Sequence, residues 1–201
     1  VPTYWGKRAR SLVRKVVAIF CAGICISFLA GCGASTSSNT SDTGYISGDG
    51  TTRLLATKDR EKPVALSGET LAGEKLDIAD WRGKPVVVNL WASWCGPCRS
   101  EAVELEKSYL QFKDKGVEFV GLNTRDGLAS AKAFNDRFKT SYPSIRDNDG
   151  ELTLAFGNLG PAATPSTIIL DSKGRVAARI LGPTTESELR GLIEAVLESE
   201  S

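Results

Sequence analysis

The chain predicts an α/β fold in which a central mixed sheet is flanked by helices. Short β-branched runs alternate with longer segments whose apolar residues recur at helical spacing, the pattern of strands laid side by side beneath covering helices. The last two strand signals instead meet at a tight polar turn, Asp171-Ser172-Lys173-Gly174, which pairs them antiparallel. From about Lys62 the composition is globular, leaving about 140 residues, the size of one domain around one core.

Val64 to Ser67 and Lys75 to Ile78, joined by Gly68 through Glu74, read as an N-terminal hairpin leading to Trp81. Val86 to Trp91 is a buried strand, opened by the Gly83-Lys84-Pro85 boundary. A helix from Cys95 to about Lys115 follows, with Pro97 in its first turn and Ala102, Leu105, Tyr109 and Phe112 on one face. Next come strand Val117 to Asn123, a helix from about Gly127 to Phe138, a short strand near Ser144 to Arg146 and a helical turn near Glu151 to Phe156. Strands Ser166 to Asp171 and Arg175 to Leu181 close the sheet. Thr185 caps a last helix, Glu186 to Leu197, whose buried face is Leu189, Leu192, Ile193, Val196 and Leu197.

The first 31 residues hold five basic side chains, Lys7, Arg8, Arg10, Arg14 and Lys15, then an apolar stretch from Val16 to Ala30, and no acid. That stretch suits a signal-peptide core and falls short of the roughly 20 residues that span a bilayer comfortably. Leu29-Ala30-Gly31-Cys32 resembles the lipobox of bacterial lipoproteins, which implies cleavage before Cys32, a lipid on its sulfur and a domain held at the outer face of a membrane. An uncleaved apolar anchor gives the same topology. Residues 32–60, rich in Ser, Thr and Gly, read as a flexible tether, and 61–201 as the folded domain. The chain has no methionine, which fits a start at Val1 through an alternative codon or a start further in.

Without those five basic residues the chain keeps 20 of its 25 bases against 24 acids, a net charge of −4. A nucleic-acid partner, which needs a basic face, is excluded on this ground. Of the five cysteines, Cys21 and Cys25 fall in the leader and Cys32 at its end, so Cys95 and Cys98 remain as a pair.

That pair lies in Trp94-Cys95-Gly96-Pro97-Cys98-Arg99, where the buried strand turns into its helix. A sulfur at a helix's positive end is favoured as thiolate. Three residues apart, the two cysteines can bridge without dragging the backbone, and so short a loop has little value as a structural staple. Reactivity is the better reading, with two buried inert cysteines as the alternative. Zinc requires four ligands, and the chain has no histidine and no second CxxC, so no metal or other cofactor is expected.

The run Asn89 through Glu101 around this motif, together with Ala163-Thr164-Pro165-Ser166-Thr167 before a strand, resembles the thioredoxin superfamily, and specifically its membrane-tethered, extracytoplasmic TlpA-like and ResA-like thiol-disulfide oxidoreductases. The resemblance covers about 62–198. It implies a thioredoxin-like fold with Cys95 as nucleophile, Cys98 as resolving thiol, a redox-active Cys95–Cys98 disulfide, and a cis Thr164–Pro165 bond facing them. Trp94, Gly96, Pro97, Thr164 and Pro165 would then touch substrate. An ordinary trans proline opening a strand is the alternative for Pro165. Residues 139–160 would hold the helix-strand element that this branch inserts.

Thioredoxin carries a buried aspartate where this chain has Asn89, and Glu101 matches the family's acidic residue near the cysteines. Glu101 is therefore the candidate proton acceptor for Cys98, the alternative being a solvated first-turn glutamate favoured by the helix dipole. Trp91, Trp94 and Phe156 line the site or fill the core; adjacency favours a site role for Trp94 and packing for Trp91. Arg99 reads as solvated, its charge beside the thiols favouring thiolate slightly.

The implied activity is thiol-disulfide exchange on exported proteins. Reduction of apocytochrome c thiols, fed by a membrane electron-transfer partner, is one direction, and disulfide formation in secreted proteins is the other. A thiol peroxidase shares the fold, but Ser93-Trp94 lacks the Pro and Thr that ready such a cysteine. A copper or haem chaperone would have sulfur from only two residues.

Overall fold

A computed structural model of the chain describes Tyr45–Ile46 and residues 51–201. Seven strands form one sheet in the order β1-β2-β9-β8-β5-β6-β7, and β3 and β4 form a separate hairpin. These are β1 (Tyr45–Ile46), β2 (Thr52–Leu54), β3 (Ser67–Glu69), β4 (Lys75–Asp77), β5 (Val86–Trp91), β6 (Glu118–Thr124), β7 (Ser144–Asp147), β8 (Ser166–Leu170) and β9 (Val176–Leu181). Among the described residues the α-helices are α1 (Gly96–Phe112), α2 (Leu128–Phe138) and α3 (Glu186–Glu198). The sheet is mixed because β5, β6 and β7 run parallel while β8 lies antiparallel between β5 and β9.

β5 sits near the middle and all six of its residues are buried. A strand covered on both faces has no polar side, which is why its sequence is a continuous apolar run rather than an alternation. Val86, Val88 and Leu90 join one core with Val120, Ile145, Phe156 and Ile168. Val87 joins the opposite core, where α1 and α3 contribute Leu105, Phe112, Leu189 and Ile193. Trp91 points to a third cluster containing Cys95, Cys98, Ala102 and Phe134. The pleat thus delivers the strand's end to the cysteines.

Gly121 of β6 shows how tight that region is. A methyl group there would collide with Ser144 Oγ and Trp91 Nε1, which are hydrogen-bonded to each other at 3.2 Å.

The element order read from sequence is the observed one, with three differences. The supposed tether is structured before it reaches residue 61: β2 pairs with β9, Leu55 and Ala56 are buried, and Arg60 is buried against Asp171. A three-residue strand held by backbone hydrogen bonds to its neighbours leaves almost no hydrophobic period in the sequence, so this segment reads as linker. The N-terminal hairpin pairs at Ser67–Glu69 with Lys75–Asp77, two to three residues later than expected on its first strand. The helical turn near Glu151 is a 3-10 segment, Leu152–Leu159, broken by Gly157 at φ 55°. The inserted element of residues 139–160 is therefore β7, parallel to β6, followed by this 3-10 segment. The leader and Cys32 lie outside the described residues.

Candidate active site

Cys95 occupies the N-cap of α1, with extended backbone at φ −78° and ψ 112°, and Gly96 and Pro97 open the helix. Its Sγ accepts the Cys98 backbone N–H at 3.2 Å, so the sulfur takes the place a capping oxygen would hold. Charge on that sulfur is stabilised by the same N–H and by the helix dipole. The two cysteines are joined by a disulfide, with S–S 2.02 Å and Cα–Cα 5.3 Å. Cys98 is 1% exposed and Cys95 4%, while Trp94, Gly96 and Pro97 around them are exposed.

One helical turn beyond Cys98, on the same face, is Glu101, which is 1% exposed. Its Oε1 accepts from Asn89 Nδ2 at 2.9 Å and its Oε2 from the Thr184 backbone N–H at 3.0 Å. Burial pushes its carboxyl up to about 7, and the two hydrogen bonds only partly oppose this. Near neutral pH this carboxyl can both take and give a proton. The solvated alternative is excluded by its burial. Tyr142, buried nearby and facing the Glu101 and Glu106 charges, is pushed far upward and stays a neutral phenol.

Thr164–Pro165 is a cis peptide bond, and it immediately precedes β8, the strand next to β5. Pro165 is buried and accepts the Gly182 N–H at 3.0 Å, while Thr164 is half-buried. Trp94 and Thr164 both line a groove of about 350 Å³. Trp94 is 58% exposed, and its indole N–H donates to the Arg125 carbonyl at 3.0 Å, fixing the ring beside Cys95. Trp91 packs against Phe134 with ring centroids 4.5 Å apart, and Phe156 is core. Arg99 is exposed and donates to Ser93 O at 2.8 Å.

Asp126 is a site residue that the sequence reading missed. Its carboxylate accepts from Ser93 N at 2.6 Å, Ser93 Oγ at 2.7 Å, Asn123 Nδ2 at 3.0 Å and Gly127 N at 2.8 Å, tying the turn before Cys95 to the end of β6. Burial alone would raise its carboxyl, but the hydrogen bonds win and hold it below the usual range. Only the Asp126-Gly127 dipeptide hinted at a turn there. Thr184 was equally invisible, because it contributes a backbone N–H.

A family model described as Redoxin matches residues 57–193. The chain belongs to the Redoxin family. Among curated relatives of this Redoxin chain, the thiol-disulfide oxidoreductase ResA of Geobacillus kaustophilus is 31% identical over 126 residues, 63% of this chain and 71% of that protein. ResA of Bacillus anthracis is 29% identical over the same length and shares. A solved DsbF homologue from Corynebacterium diphtheriae is 31% identical, with TM-score 0.68 over 75% of this chain and 96% of its own. A secreted thiol-disulfide isomerase from Corynebacterium glutamicum is 27% identical, with TM-score 0.70 over 79% and 100%. The Redoxin chain is accordingly a thiol-disulfide oxidoreductase with a thioredoxin-like fold. Among the described residues no group of His, Cys, Asp and Glu is arranged to hold a metal ion.

Proposed function

We propose that this oxidoreductase works outside the cytoplasm, held to a membrane through Cys32, and reduces disulfides in exported proteins, the haem-attachment cysteines of apocytochrome c among them. The observation that carries the exchange reading is Cys95 Sγ at the helix N-cap, bridged to a deeper Cys98 that lies one turn from a buried carboxyl. The leader and lipobox-like residues 1–32 support the location, as does the secreted relative from Corynebacterium glutamicum. Gly96-Pro97 between the cysteines, as in thioredoxin with its potential near about −270 mV, supports the reductive direction.

In the reduced enzyme the Cys95 thiolate attacks one sulfur of a substrate disulfide. That S–S bond breaks, the departing sulfur takes a proton, and a mixed disulfide joins Cys95 to the substrate. Glu101 carboxylate accepts the Cys98 proton, through water if need be, and Cys98 attacks Cys95 Sγ. The Cys95–substrate bond breaks, the second substrate thiol leaves, and the Cys95–Cys98 disulfide remains. Two electrons have passed to the substrate, and a membrane electron-transfer partner must return two to the pair. Trp94, Gly96, Pro97 and the stretch Thr164–Pro165 hold the substrate segment in extended form against the disulfide.

The test is Cys98→Ala in the full chain, with mixed disulfides trapped in cells, alongside the reduction potential. Captured apocytochrome c joined through Cys95, and a potential near about −270 mV, are expected. A potential near about −120 mV with captured secreted thiol proteins would assign the oxidative direction instead.

A further inference from the structure

The exposed Trp94 lines two grooves, and both carry cations without acids. The first, of about 350 Å³, runs to Thr164 and includes Arg125; the second, of about 390 Å³, lies between α1 and α2 and includes Arg99 and Arg137. Neither lining contains an aspartate or glutamate. All three arginines are exposed. Asp126, the acid closest in sequence to Arg125, already accepts hydrogen bonds from Ser93, Asn123 and Gly127. These arginines are also positioned: Arg125 Nε donates to Asp149 O at 3.3 Å, Arg99 to Ser93 O at 2.8 Å, and the Arg137 guanidinium lies 5.6 Å from the Phe138 ring centre. Residues 32–201 carry 20 bases against 24 acids, so cations in both grooves that meet at Trp94, the residue next to Cys95, run against the balance of the chain.

We propose that Arg125, Arg99 and Arg137 are specificity residues, selecting protein segments that carry aspartate or glutamate on either side of the reacting cysteine. This rests on the exchange reading above and adds the chemistry of the substrate. A segment laid across Cys95 between the grooves presents its flanking side chains to Arg125 on one side and to Arg99 and Arg137 on the other. Exposed pairs of this kind contribute modestly each and act mainly by steering encounter, so the preference must weaken with salt.

The experiment uses the reduced full chain and two disulfide-bonded peptides that differ only in acidic or basic residues flanking one cysteine. The ratio of their kcat/KM values cancels the reactivity of Cys95, and dividing it by the ratio of the two peptides' rates with dithiothreitol, a neutral small thiol, cancels their own. Wild type is expected to favour the acidic peptide about tenfold at low ionic strength, with the ratio falling toward one in high salt. Arg125→Glu combined with Arg137→Glu should invert the ratio, and Arg137→Glu alone, which removes no backbone hydrogen bond, should lower it part of the way. A wild-type ratio near one, or a ratio unmoved by either variant, overturns the proposal. Exchange with neither peptide would overturn the exchange reading itself, and the proposal with it. Arginine-dependent binding to anionic phospholipid vesicles, with no peptide preference, would assign these arginines to a membrane surface instead.

Discussion

The side-chain amide of Asn89 donates to Glu101 Oε1 at 2.9 Å, across the boundary between β5 and α1. Asn89 also donates to Thr167 Oγ1 at 3.2 Å in β8, so one amide ties the central strand, the strand after the cis proline and the buried carboxyl together. An amide here supports the charged form of Glu101 without titrating itself.

Removing that donor leaves burial less opposed. Asn89→Ala should therefore raise the Glu101 pKa above about 7 and move the pH profile of the resolving step in the alkaline direction. Single-turnover rates between pH 5 and 9 measure this; an unshifted profile would separate Glu101 from the proton transfer.

The raised carboxyl also makes stability depend on pH. Folded Glu101 keeps its proton up to about 7, whereas the unfolded chain releases it from 4.5, so stability falls as pH rises across that window and stays low above it. The effect is on the order of 3 kcal/mol at most. Urea unfolding at pH 5 and pH 8 should show it, and Glu101→Gln should flatten the slope. An equal slope in the variant would assign the dependence to other groups.

Asp126→Ala removes the acceptor for Ser93, Asn123 and Gly127 at once. A loss of about 2 kcal/mol is expected, with a shift in Trp94 fluorescence because the Trp94 indole bonds to the neighbouring Arg125 carbonyl. Unchanged unfolding midpoint and emission would show that the turn holds its shape without the carboxylate.

Much of this was legible in the sequence because the signals were local. Val86 to Trp91 announced a doubly covered strand, Thr185 caps α3 by accepting from Glu188 N at 3.2 Å, and Cys95 and Cys98 announced themselves by spacing. Whether Glu101 was solvated or buried was not readable, because its environment is made by Asn89 and Thr184, 12 and 83 positions away. Residues 52–60 failed for a related reason: β2 and Arg60 are held by β9 and Asp171, and nothing within the segment itself has a period to read.

Arg60 tests that boundary. Its guanidinium lies 3.4 Å from Asp171 Oδ2 and donates to Ser199 Oγ at 2.7 Å, with both charged side chains buried. Arg60→Ala leaves Asp171 with Arg175 as its cationic partner and should cost about 3 kcal/mol in chemical denaturation. A chain shortened to begin at Glu61 should lose at least as much, since β2 goes with it. Full stability of the shortened chain would restore the tether reading.

Competitive alkylation of the reduced protein at pH 7 with a water-soluble iodoacetamide, read residue by residue by mass spectrometry, tests the central claim most directly. Cys95 should be labelled faster than free cysteine, and Cys98 should stay unlabelled until the protein is unfolded. Labelling of Cys98 first, or of Cys95 no faster than free cysteine, would contradict the assignment of Cys95 as the attacking sulfur.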